Sequence, residues 1–328
     1  MKILSPIDSI AELQPLIEAG ADELYCGFLD KYWLNRYTYL AATDSRNNPR
    51  SHLSSLSELK ELISIAHSSS VSVFLTVNDV MYTKEQYVYI LDLLKKALDC
   101  GIDGFIIADI ALLVKLRESG FKGNIHISLR ATAFNSETVR FYTQFGCSRI
   151  NLTEDLTVAE IKDVIKYSPD GLEFETVILN GKCANVCGFC SFHHGINTIN
   201  KNNNLIFDLA CFKKYKISLK TGVKNNRQNQ FLCDNVRPKD RDFGFTHCGA
   251  CALRDFRNMG IMSVKIVGRG FPLGKKIKDV SFLRSCLDLA ESGKTAKREF
   301  LNKIRLKYSQ TYKSDCERYC YYYTDYHN

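Results

Sequence analysis

The sequence predicts an α/β protein: a (β/α)8 TIM-like barrel with a cysteine-rich insert between strands 7 and 8. Three observations carry that expectation. Eight short apolar runs alternate with helical stretches at a repeat of about 20 to 35 residues, the rhythm of parallel strands joined by crossover helices. No G-x-G-x-x-G turn follows the first run, which argues against a doubly wound dinucleotide-binding sheet. Seven of the thirteen cysteines fall between Cys183 and Cys251, beginning just past the end of the seventh run.

Taken in order, Ile3 to Ile7 is the first strand and Ser9 to Ala19 an amphipathic segment. Glu23 to Phe28 is the second strand. A polar, aromatic-dotted loop follows from Leu29 to Ser54, where Trp33, Asn35, Arg36 and Tyr37 suit either the lining of a site or plain surface. Ser55 to His67 carries apolar residues at helical spacing. Val71 to Asn78, VSVFLTVN, is rich in β-branched and aromatic residues and reads as strand three. Lys84 to Leu98 is a helix, Gly104 to Asp109 strand four, Ala111 to Ser119 a helix, Asn124 to Thr132 strand five and Ser136 to Phe145 a helix. Arg149 to Glu154 is strand six, and Thr157 is the N-cap of a helix reaching Lys166. Leu172 to Leu179 is strand seven. Ala252 to Asn258 is a short helix, Ser263 to Val267 strand eight and Ile277 to Leu289 the closing helix.

The expected domains are barrel strands 1 to 7 in residues 1–180, a metal-binding insert in 181–251, barrel closure in 252–292 and a basic, Tyr-rich tail in 293–328. The tail ends DCERYCYYYTDYHN, with Cys316 and Cys320 spaced as on one helical face. They either join a metal site or pack as unpaired thiols.

The 328 residues are 45% apolar and 24% charged, ordinary globular values. No apolar run approaches the roughly 18 residues of a membrane span. The start, MKILSPIDSIAEL, lacks a signal-peptide core, so the expectation is a cytoplasmic protein. The net charge of +8 gathers in Lys213 to Arg227 and Lys294 to Lys307. Such stretches near Tyr and Phe suit RNA or another polyanion, and equally suit solvated lysine faces.

The chemistry concentrates in NGKCANVCGFCSFHHG, Asn180 to Gly195. Cys183, Cys187 and Cys190 lie inside eight residues, followed by His193 and His194 and then by Cys211, Cys233, Cys248 and Cys251. Thiolates bind soft or borderline metals, and short spacings let one loop offer several sulfurs to one centre. The metal-ligand candidates are Cys183, Cys187, Cys190, Cys211, Cys248 and Cys251; the bland reading is buried free thiols. In a barrel the active site lies at the carboxyl ends of the strands. Asn78, Asp79, Asp109, Arg130, Glu154 and Arg269 fall there, as reactive groups or as caps and salt-bridge partners. Arg130 and Arg269 suit bidentate capture of a carboxylate. Asn78 and Glu154 suit positioning a substrate or moving a proton. There is no G-x-S-x-G elbow and no H-E-x-x-H helix, while a Cys–His dyad using His193 or His194 stays open.

The C-x-x-x-C-x-x-C spacing resembles the radical S-adenosylmethionine signature, although here it follows the seventh strand and not the first. A second resemblance spans nearly the whole chain. GADELYCGF, VFLTVND, HISLRATAFNSETVRFY, NLTEDLTVAEI, LEFETVILNGKC and CALRDFRNMGIMSVKIVGRG come in the order found in peptidase family U32, the collagenase-like family. That resemblance implies a 4Fe-4S cluster on Cys183, Cys190, Cys211 and Cys251, with Cys187 and Cys248 extra. An assignment to Cys183, Cys187, Cys248 and Cys251, with zinc as occupant, is the alternative. Iron–sulfur members of the family hydroxylate RNA bases or quinone precursors without dioxygen, using prephenate. The resemblance therefore implies an oxygen-independent hydroxylase or related modifying enzyme acting on RNA, an aromatic small molecule or a peptide. A peptidase, a radical S-adenosylmethionine enzyme and a zinc-stapled, non-catalytic binding protein are the alternatives.

Overall fold

The computed structural model describes residues 1–37, 42–46, 49–183, 186–190, 198–199, 205–206, 246–293 and 296–327. Eight parallel strands close into a barrel: β1 (Lys2–Pro6), β2 (Glu23–Cys26), β3 (Ser72–Val77), β4 (Gly104–Ile107), β5 (Ile125–Ile127), β6 (Arg149–Leu152), β7 (Glu173–Leu179) and β8 (Ser263–Ile266). Around the barrel the order is β1-β8-β7-β6-β5-β4-β3-β2, so the first strand pairs with both its successor and the last. Residues 180–262 separate β7 from β8, and the register between these two strands slips between Lys265 and Ile266. Among the described residues no helix is long and apolar enough to cross a membrane.

The strands form where β-branched and aromatic residues can be buried on both faces. The connecting helices start where short polar side chains take up free backbone N–H groups. Ser55 accepts from Glu58, Asp109 from Leu112 and Asn135 from Thr138. Thr83 with Gln86, and Thr157 with Glu160, complete reciprocal capping boxes. Thr157 is thus the N-cap that the sequence predicts. Each helix turns one stripe to the sheet, for example Leu59, Leu62, Ile63 and Ala66.

Several expectations need correction. The stretch after β2 is not a loop throughout: Lys31–Tyr37 is a helix. Its Trp33 is fully buried among Tyr37 and Tyr89 and lines no site. Strand five stops at Ile127, because the Ser128 hydroxyl accepts the Arg130 N–H and opens the 3-10 turn Leu129–Ala131. Cys316 and Cys320 flank the 3-10 turn Glu317–Tyr319 and do not share an α-helical face.

The lumen is unusual for a barrel, where packed branched apolar side chains are the norm. Leu4, Tyr25, Phe74 and Ile106 form a small apolar cluster apart from the main core. Below it lies an ion network. Arg149 Nη1 stands 2.7 Å from Glu23 and 3.3 Å from Glu175, and Arg149 Nη2 stands 2.7 Å from Glu173. Lys265 stands 3.7 Å from Glu175 and over the Tyr25 ring at 4.2 Å.

Candidate active site

The carboxyl ends of the strands carry a mouth built in two parts. The first is a buried pair. Arg269, just past β8, donates from Nη1 to Asp44 Oδ2 at 2.6 Å. Asp44 also takes the Thr76 hydroxyl at 2.8 Å and lies 3.2 Å from His52 Nε2. Burial alone would raise the Asp44 carboxyl, but the Arg269 and His52 side chains overcome it and hold it well below the usual carboxylate range. Gly27 is required here, since a Cβ would stand 2.0 Å from Arg269 Nη1.

The second part gathers around Arg130. Asn78 donates to the Ser128 hydroxyl at 3.1 Å. Arg130 Nη1 reaches the Asn78 carbonyl at 3.4 Å and Asp79 at 3.5 Å, both long contacts. Arg130 Nε is buried and has no hydrogen-bond partner among the described residues. Thr132, two residues on, holds a left-handed φ of 58°, a strained conformation for a β-branched residue.

The cysteine stretch packs on this part. At Gly188 a Cβ would stand 2.2 Å from the Arg130 carbonyl oxygen and 2.3 Å from Thr132 Cγ2. Only glycine lets the 3-10 turn Cys187–Phe189 sit so close. Cys183 N donates to Glu154 Oε1 at 2.8 Å. Burial first, and the Cys183 sulfur second, raise the Glu154 carboxyl to about 8. A carboxyl protonated near neutral pH can pass a proton. The Cys183 thiol hydrogen-bonds to Cys187 and lowers its pKa, with the Arg130 charge adding to the effect.

A sequence model of peptidase family U32 matches residues 8–328. The chain belongs to this family. It is 29% identical over 216 residues to "tRNA hydroxylation protein P" of Haemophilus influenzae, covering 66% of this chain and 43% of that protein. It is 23% identical over 288 residues to the Escherichia coli "23S rRNA 5-hydroxycytidine C2501 synthase", covering 87% of this chain and 38% of that one. It is 26% identical over 251 residues to a "Collagenase" of Porphyromonas gingivalis, covering 73% of this chain and 55% of that one. The chain therefore spans less than two thirds of the length of each of these curated relatives.

In this family U32 barrel, Asn78, Arg130 and Glu154 meet at the mouth with Cys183 and Cys187. Arg269 reaches it from β8 and is engaged by Asp44. Cys190 ends the same 3-10 turn as Cys187. Cys211, Cys233, His193, His194 and the basic stretch 213–227 lie outside the described residues. Cys248 and Cys251 are buried beside Cys316. Asp109 caps the helix Ile110–Glu118 and accepts the Tyr87 hydroxyl, a structural role.

Sequence reasoning misses Asp44 and His52, because both sit in a polar stretch with no motif around them. It also misses Tyr321. This residue donates its hydroxyl to the Asn180 carbonyl, and its own carbonyl accepts Lys182 Nζ at 2.8 Å. The aromatic run at 321–323 is the only signal that could have pointed to a tail packed against the mouth.

Proposed function

We propose that this chain is the barrel of an RNA-base hydroxylase with a 4Fe-4S cluster at the mouth, its ligands drawn from Cys183, Cys190, Cys211 and Cys251, the set the family resemblance implies, and from Cys187 beside Cys183. The observation that carries the reading is the thiol pair Cys183–Cys187 packed against Arg130, an arginine with a buried donor to spare. The names of two relatives, "tRNA hydroxylation protein P" and "23S rRNA 5-hydroxycytidine C2501 synthase", favour RNA as substrate. Among the described residues no three Cys, His, Asp or Glu side chains converge on one point. The pair alone is thus not a complete site; the further soft donors are drawn from Cys190, at the end of the same turn, and from Cys211, which lies outside the described residues.

When bound, such a cluster supplies one-electron chemistry. The chain's own residues hold and orient. Glu154 fixes the Cys183 backbone, Gly188 seats the thiol turn on the barrel, and Arg130 offers Nε to a carboxylate or phosphate. Asn78 anchors Arg130 through its carbonyl.

Anaerobic purification tests this. The expected protein is brown, with stoichiometric iron and sulfide that Cys183→Ala/Cys187→Ala removes. RNA from cells lacking the gene should lose a hydroxylated nucleoside by mass spectrometry. A colourless, iron-free protein or an unchanged nucleoside profile overturns the reading. The lowered Cys187 thiol and the collagenase relative favour one rival, a cysteine peptidase. In that case metal-free protein would cleave gelatin, and alkylating Cys187 would abolish the cleavage.

A further inference from the structure

The thiol turn also carries a ring out into solvent. Phe189 ends the 3-10 turn Cys187–Phe189 and is 73% exposed, and no large apolar side chain among the described residues is more so. A ring left in water forgoes most of what burial would contribute. Its place is nevertheless fixed. Phe189 N donates to the Val186 carbonyl at 3.1 Å. Gly188 lies so close to the barrel rim that an added Cβ would stand 2.2 Å from the Arg130 carbonyl oxygen.

A second ring stands behind the first. The Phe134 and Phe189 centroids are 6.0 Å apart with planes 31° from parallel, within the range of an offset aromatic pair. Phe134 is half-buried and is set by the strained turn after β5. Thr132 there takes its left-handed φ of 58°, and Phe134 N donates back to the Thr132 carbonyl at 2.9 Å. The turn that carries Arg130 thus also places Phe134 against the thiol turn.

The chemistry beside the rings selects what covers them. The Arg130 side chain is 13% exposed, its contact to Asp79 is a long 3.5 Å, and its buried Nε has no hydrogen-bond partner among the described residues. An exposed π-face next to an uncommitted guanidinium matches single-stranded nucleic acid, in which bases stack on aromatic rings while phosphates take up cations. A protein partner would ask for a contiguous apolar patch of roughly a few hundred Å², far more than one ring pair offers.

We propose that Phe189, backed by Phe134, is the platform on which a base of single-stranded RNA stacks at the lip of the mouth, with Arg130 taking a phosphate beside it. This rests on the RNA reading above and adds to it the residue that positions the substrate.

The test uses the anaerobically purified full chain and, as probe, a mixed-sequence single-stranded RNA of about 12 nucleotides, with its duplex as the control whose bases are already stacked. Phe189→Ala should weaken binding of the single strand about 5- to 150-fold, the loss of one stacked base. Phe189→Leu keeps an apolar packer without a π-face and should weaken it at least about fivefold, whereas Phe189→Trp should bind as tightly as the native chain. All three should keep the native dependence of binding on salt, because no phosphate contact is lost. Val88→Ala, at a similarly exposed position on the helix Lys84–Asp99, should change nothing. The native chain's one tryptophan, Trp33, is fully buried, so acrylamide should quench only the indole introduced by Phe189→Trp, and the single strand should shield it where the duplex does not. Equal binding by the native chain and Phe189→Leu, or no binding of the single strand at all, overturns the platform. So does an indole that acrylamide does not reach, or one that a gelatin peptide shields and RNA does not. The hydroxylase reading is judged separately, by the nucleoside profile of cells lacking the gene, and can stand while the platform falls. If Phe189→Ala fails to fold, Phe189→Leu and Phe189→Trp decide.

Discussion

Replacing Arg149 by Met would remove the cation at the centre of the barrel floor. Arg149 holds Glu23 through two nitrogens, at 2.7 and 2.9 Å, and reaches Glu175 at 3.3 Å. Glu23 and Glu175 are both 1% exposed, so neither can recruit water. Burial pushes the Glu23 carboxyl up, but the Arg149 hydrogen bonds and charge outweigh it and hold it below its ordinary 4.5. Without Arg149, the partners left to Glu23 among the described residues are Lys2 at 3.0 Å and Ser263 at 3.2 Å. Breaking a buried pair by removing one partner costs about 3 to 5 kcal/mol. Protonation limits the cost: neutralising an ordinary carboxyl at pH 7 takes about 3.4 kcal/mol. Urea unfolding at pH 7 should therefore show a loss of about 3 to 5 kcal/mol. The loss should shrink by up to about 2.7 kcal/mol at pH 5, where the proton is easier to take up. Adding Glu23→Gln should restore part of the stability at pH 7. A loss below about 1 kcal/mol, or one equal at both pH values, would refute the view that this network is a desolvated charge balance.

Three further outcomes follow from the same geometry. Burial first and the Arg149 charge second push the buried His126 down to about 3 from 6.5, so its unfolded form protonates earlier. The stability tied to neutral His126 is full above about pH 6.5 and falls by roughly 3 kcal/mol by pH 4. The His126→Phe variant should lose correspondingly less over that range, and parallel curves would refute the assignment. Gly188→Ala should lift the thiol turn and cut the iron retained by anaerobically purified protein by more than half, with unchanged far-UV circular dichroism; full retention would refute the close contact as a requirement of the site. Thr157→Ala removes the hydroxyl that accepts the Glu160 N–H at 3.3 Å and should cost about 1 kcal/mol in urea unfolding, a cost whose absence would remove the cap's role.

The strands were legible because their signal is local. Runs such as VSVFLTVN bury β-branched residues on both faces and need no partner to be recognised. The capping box at Thr157 is equally local, with both halves three residues apart. The lumen was not legible. Glu23, Arg149, Glu175 and Lys265 alternate with apolar neighbours along their strands, the pattern of a half-solvated sheet. The partners that make them lumenal are up to 126 residues apart, as Glu23 and Arg149 are. The mouth was legible in part. Position after a strand end identifies Asn78, Arg130 and Glu154, whereas Asp44 reaches Arg269 from a segment 225 residues away. Helix Lys31–Tyr37 was hidden by its polar setting, and only burial shows that Trp33 belongs to the core.

The two mouth arginines differ in what the fold has already asked of them. Arg269 is 4% exposed and donates to Asp44, and Tyr25 lies beneath it at 5.9 Å, with Lys265 on the same ring at 4.2 Å. Lys265 in turn leads through Glu175 to Arg149, so fixed charges run from the barrel floor to its rim. A group at the top of that column cannot turn to a ligand without leaving the buried Asp44 to His52 and the Thr76 hydroxyl alone. Arg130 has no such commitment. Its contacts are long, its Nε is unspent, and it sits under the thiol turn and beside a strained residue. Donors already oriented and not yet satisfied are what a site needs in order to bind charge without reorganising. Arg130, on the rim after β5, is therefore the arginine we propose for ligand recognition, with the electrostatics of Arg269 and Asp44 serving the frame around it.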